Sequence, residues 1–170
     1  MKKVTTILAA LFLIAFSANL MANNPQSTAS ADATATIITP IAISAENDGL
    51  AFGNIIASTT EGTVTVDFAD ARTQTGGATF PTVPGTIRSA EFKVTGLAEA
   101  AFSITLPSDG DVVLTGAGDD MELSGFAHNS DEELDGDGEN IFKVGATLTV
   151  NASQAAGTYS GEFDVIVSYN

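Results

Sequence analysis

YSGEFDVIVSYN, residues Tyr159 to Asn170, is the stretch that decides the fold. Tyr159, Gly161, Phe163, Val165, Val167 and Tyr169 fall on one face, and mostly polar residues fall on the other. A period of two over this length is the pattern of a β-strand with one buried face. A strand that closes a chain has to be held by neighbouring strands or by a partner.

Working back from it, runs rich in Thr, Val, Ile and Phe recur at short intervals, each bounded by Gly, Pro or acidic turn residues. They are read as strands at Leu50 to Ile56, Thr63 to Phe68, Ile87 to Thr95, Ala101 to Leu106, Asp111 to Thr115, Met121 to Phe126, Ile141 to Val150 and Thr158 to Tyr169. An earlier strand over Ala33 to Ser44 carries Ile37, Ile41 and Ile43 on one face. Pro40 removes a ladder donor there and confines that strand to an edge or a bulge. Gly76, Gly77, Pro81, Pro84 and Gly85 make Ala71 to Gly85 a loop. About nine short strands without helix-period patterning predict an all-β fold, an antiparallel β-sandwich of immunoglobulin-like or pilin-like type.

Residues 1–22 read as a signal peptide. Lys2 and Lys3 precede an apolar run from Val4 to Phe16, too short for a membrane span. Cleavage is expected after Ala22, followed by a flexible polar arm over 23–32 and a single domain over 33–170. Export places the protein in the periplasm, at the cell surface or outside the cell, and the mature chain has no membrane-inserting segment. Removal of the leader leaves only Arg72, Arg88, Lys93 and Lys143 as bases against 21 acids. Such a balance repels nucleic acid and anionic lipid. The chain has no cysteine, so the fold rests on its apolar core alone.

Nine of the acids lie between Asp119 and Glu139, a stretch without Lys or Arg. Glu133, Asp135 and Asp137, with Gly138 and Glu139 following, match the first half of a calcium loop, whose oxygen ligands alternate and whose glycine permits a sharp turn. Val144 stands where the closing bidentate acid belongs, which favours an acidic solvated turn. His128 is the sole histidine, which excludes a multi-histidine zinc site. With no cysteine nucleophile, phosphate-binding glycine loop or environment to perturb a catalytic carboxylate, the sequence reads as non-enzymatic, with no cofactor beyond a possible calcium ion.

Several segments together, ATIITPIAIS at 35–44, LAFGNI at 50–55, AEFKVTG at 90–96, FSITLP at 102–107, VGATLTV at 144–150 and GTYSGEFDVIVSYN at 157–170, resemble a family of exported bacterial proteins. It is domain of unknown function 4402, whose members are similar to pilus and spore-coat-U-type subunits. The spacing of Gly157 from the penultimate Tyr169 also resembles the C-terminal signature of chaperone-usher pilus subunits. That resemblance implies that Gly157, Tyr159, Phe163, Val165, Val167 and Tyr169 serve in strand pairing and assembly. It implies as partners copies of the chain, or related subunits, joined by β-strand addition.

The arm departs from the pilin pattern. Ala29, Ala31, Ala33 and Ala35 alternate correctly but are small, and no cysteine pair is present. Two functions are therefore expected in competition. One is a structural subunit of a surface fibre or envelope-associated assembly. The other is a self-complete secreted binding or adhesion module using the acidic loop 119–139, with or without dependence on calcium.

Overall fold

The computed structural model describes residues 26–170, so the segment read as a leader, residues 1–22, and the first residues of the expected arm lie outside the described part. Residues 26–36 are exposed and without regular structure, whereas Ile37–Asn170 form one compact body. Every regular element among the described residues is a strand, and all pairing is antiparallel. No helix among them is long and apolar enough to cross a membrane.

Eleven strands form: β1 (Ala42–Ala45), β2 (Ala51–Phe52), β3 (Gly62–Val66), β4 (Arg72–Gly76), β5 (Ile87–Arg88), β6 (Ala90–Thr95), β7 (Phe102–Thr105), β8 (Val112–Leu114), β9 (Met121–His128), β10 (Glu139–Val150) and β11 (Ile166–Tyr169). Seven of them build one sheet in the order β1-β6-β10-β3-β4, with β9 also on β10 and β8 on β9. The long β10 is the hub. Its first half pairs with β6, its second half with β3, and β9 runs along it through a register shift between Gly145 and Thr147.

The hub strand shows why alternation builds this sheet. On β3 and β10, Val64, Val66, Ala146, Leu148 and Val150 are buried, while Thr63, Thr65, Thr147 and Thr149 face outward. Across the outer face the Thr65 and Thr147 hydroxyls pair at 2.8 Å, and those of Thr63 and Thr75 at 2.7 Å. Cross-strand pairs of this kind pin register.

Two smaller pairs, β7–β11 and β2–β5, cover the buried face and give a sandwich-like layering. The core divides into two clusters. The first gathers Val64, Val66, Val112, Met121, Leu123, Leu148 and Val150 with Phe52 and Ala78. The second gathers Ala90, Val94, Phe102, Leu134, Phe142 and Val144, with Val165, Val167 and Tyr169 packed on it. Leu50, Phe126 and Phe163 touch both.

Three expectations need correction. Ala71 to Gly85 is not wholly loop, because Arg72–Gly76 pairs with β3 as an edge strand whose exposure requires no apolar face. The first strand spans only Ala42–Ala45; Ile37 is 93% exposed, consistent with Pro40 breaking the ladder before β1. The last strand is shorter than its pattern. Only Ile166–Tyr169 pairs with β7, with one further bridge between Thr115 and Ser160.

A polar clamp ties three elements of the body together. Asp70, in the left-handed region at φ 59°, accepts hydrogen bonds from the Ser89 hydroxyl (2.6 Å), the Ser89 amide (2.7 Å) and the Lys143 ammonium (2.9 Å). Ser89 is fully buried. The Ser89 hydroxyl first, then its amide and Lys143, hold the Asp70 carboxyl down at about 2, from an ordinary value of 3.8. A depressed carboxylate pKa contributes stability that is fully present above the unfolded value and is lost as pH falls through the folded one. Asp70→Asn is therefore expected to lower the melting temperature by a few degrees near neutral pH, and the gap from the unsubstituted chain should close between about pH 4 and pH 2. The effect is about 1 kcal/mol, since the side chain remains 37% exposed and screened. Melting curves at pH 7, 4 and 2 check it.

Candidate functional site

Between Gly161 and Val165 the chain keeps the alternation of a strand but has no strand to pair with among the described residues. Phe163 and Val165 turn inward, Glu162 and Asp164 turn outward, and no residue from Gly161 to Val165 makes a backbone–backbone hydrogen bond with another described residue. Unpaired extended backbone is a template for another strand.

Beside it runs a cleft of about 1180 Å³. One wall is Gln154 to Asp164 and the other is Leu50 to Ala57. The floor is the first core cluster: Val112, Leu114, Met121, Leu123, Leu148 and Val150. All of these except Leu114 retain only 2–7% exposure, so the walls lean over the floor and have to part to admit a chain. The lining contains three acids, Asp48, Glu162 and Asp164, and no base. Asp48 pairs with Arg88 at 3.4 Å, whereas Glu162 and Asp164 pair with no base among the described residues.

Each wall is fixed by a specific device. Arg72 reaches from β4, stacks its guanidinium 3.7 Å over the Phe80 ring, and donates to the carbonyls of Phe52 (2.6 Å) and Asn54 (2.9 Å). Burial lowers its pKa from the ordinary arginine value. Gly53, between those carbonyls, has φ +70° and no room for a Cβ against Pro84 and Arg72. On the other wall the Tyr159 hydroxyl donates to the Ala155 carbonyl at 2.8 Å. A Cβ at Gly161 would collide with the Val113 carbonyl, so this wall follows β8 closely without forming a ladder with it.

The residues singled out in the terminal stretch divide between two places. Gly157, Tyr159 and Phe163 line the cleft. Val165, Val167 and Tyr169 lie farther along, half-buried on the second core cluster. Phe163 joins the two, with its ring 5.2 Å from Phe126 and 6.3 Å from Phe92. The Tyr169 hydroxyl accepts from the Leu97 amide (2.6 Å) and donates to the Thr39 carbonyl (2.9 Å). The opposite wall is the stretch expected as a strand over Leu50 to Ile56, which forms a strand in the structure only at Ala51–Phe52; its Arg72 latch left no trace in the sequence beyond a lone arginine ahead of an aromatic loop residue.

The acids proposed as calcium ligands are spread across a hairpin turn. Asp135 accepts from the amides of Asp137 (3.0 Å) and Glu139 (2.8 Å), which closes the turn. Glu139 is paired with Lys93 at 2.7 Å, and the Glu133 carbonyl accepts from Asn140. No group of three or more His, Cys, Asp or Glu side chains is arranged to hold an ion among the described residues. His128 packs edge-on to Phe142 and lies 3.7 Å from Glu132.

Fold and cleft together define a class: an antiparallel all-β domain with an apolar cleft flanked by an unpaired strand edge. The chain belongs to the family described as domain of unknown function DUF4402, whose model matches residues 41–169. No curated protein and no solved structure matches it significantly.

Proposed function

We propose that this is an exported, non-enzymatic structural protein, a subunit of a surface fibre or envelope-associated assembly that accepts an extended strand from a neighbouring subunit. The observation that carries the reading is the run Gly161–Val165, five residues of strand-like backbone with no partner among the described residues, lying along an apolar cleft. Strand addition uses these two features together. Main-chain hydrogen bonds supply affinity, and pockets for alternate side chains supply selectivity. An inserted strand would continue the period of β11 and cover the half-exposed lining residues Leu114, Tyr159 and Phe163. The leader-like segment before Asn23 supports the exported part of the reading.

The test compares the chain from Asn23 with a version from Ala33, by mass and by thermal unfolding, with and without an added peptide of alternating apolar residues. Acceptance of a strand raises the melting temperature, and the rise grows with the logarithm of the peptide concentration above its dissociation constant, because a ligand bound only to the native state stabilises it. Monomers of equal stability that ignore every added strand would remove the proposal. Addition of calcium in the same assay tests the metal reading of the acidic loop, which an unchanged melting temperature would remove.

A further inference from the structure

We infer that the strand taken up by the cleft comes from a second protein that carries Lys or Arg at alternate positions, and not from another copy of this chain. The inference rests on the strand-accepting reading and names its partner. A strand laid along Gly161–Val165 presents its inward residues to the cleft floor and its outward residues beside Glu162 and Asp164. Opposite charges placed across a strand pair stabilise it and like charges destabilise it. Both acids lack a base among the described residues, and the lining of the cleft offers them none.

Another copy of the chain cannot supply the missing bases. The N-terminal stretch from Asn23 to Ile41 contains no Lys or Arg, and the whole chain carries a net charge of −15. Two bodies of that charge repel as they approach. The same two acids also guard the edge. Charged side chains on an unpaired strand are a common means of preventing edge-to-edge self-association, and here they leave the edge open to a cationic strand. The chemistry thus selects a peptide with apolar residues at one set of alternate positions and cations at the other.

The experiment uses the full mature chain and labelled nine-residue peptides that share their inward Val and Ile residues but carry Lys, Gln or Glu outward. A fourth peptide reproduces residues 33–41. Binding is followed by fluorescence anisotropy at low and high salt. The Lys peptide is expected to bind about fivefold more tightly than the Gln peptide, from two cross-strand pairs, with the Glu peptide weakest. The advantage should disappear in Glu162→Gln/Asp164→Asn and shrink at high salt. It should persist in Glu99→Gln/Asp137→Asn, which removes the same net charge away from the cleft.

Equal binding of the Lys and Gln peptides, or tight binding of the 33–41 peptide, would overturn the inference and leave strand acceptance standing. Failure of all four peptides to bind a chain of unchanged circular dichroism would remove both.

Discussion

Phe142→Ala is expected to cause the largest loss of stability of any single substitution considered for this chain. Phe142 is 1% exposed on the hub strand β10, its ring stacked 5.7 Å from Phe92 and approached edge-on by His128 at 6.0 Å. Truncating a buried phenylalanine costs about 3–5 kcal/mol, through lost transfer energy and the cavity left behind. Its aromatic neighbours add about 1 kcal/mol. Domains of this size have total stabilities of about 5–15 kcal/mol, and each kcal/mol moves the melting temperature by about 2–4 °C. Thermal unfolding should therefore begin roughly 10–15 °C lower. Phe142→Leu, which keeps most of the volume, should cost less than half as much. A chain in which alanine and leucine behave alike would mean that the two-cluster core is not packed around this ring.

The inward face of the terminal stretch was legible in the sequence because burial follows side-chain period. Tyr159, Phe163, Val165, Val167 and Tyr169 are all half-buried and the residues between them exposed. Its pairing was not legible. Ser168 meets Ser103, 65 positions away, and Ser160 meets Thr115; no local pattern records such partners. The same limit hid β4, since Thr73, Gln74 and Thr75 are exposed at an edge and need no apolar alternation. The calcium spacing Glu133-x-Asp135-x-Asp137 was visible, but the turn uses Asp135 to close its own backbone, and spacing alone does not reveal how an acid is engaged. As for the cleft, each wall has a glycine at a point of close approach, Gly53 against Pro84 and Gly161 against Val113. The gap itself is an absence of hydrogen bonds, and an absence has no signature in the amino-acid sequence.

Tyr169→Ala is expected to have the second-largest effect, and comparison with Tyr169→Phe separates the two roles of this side chain. The ring packs on the second core cluster, and the hydroxyl fills a space left by Gly96, where a Cβ would collide with it. The hydroxyl also joins Leu97 to Thr39, and so tethers the stretch ahead of β1 to the body. Loss of the ring and both hydrogen bonds should cost about 3 kcal/mol, less than full burial would because the residue is only half-buried. Phenylalanine keeps the ring and should cost about 1 kcal/mol, the net worth of two hydrogen bonds at an exposed site where water can replace the lost partner. The two variants should also differ in kind. Tyr169→Phe should speed amide exchange at Leu97 and proteolysis near Thr39 while leaving β7–β11 protected, because pairing from Ile166 to Tyr169 is made by the backbone. Tyr169→Ala should expose β7–β11 as well. Equal melting temperatures for the two variants would assign the stabilisation to the hydroxyl alone, and the terminal tyrosine would then act as a tether and not as a core anchor.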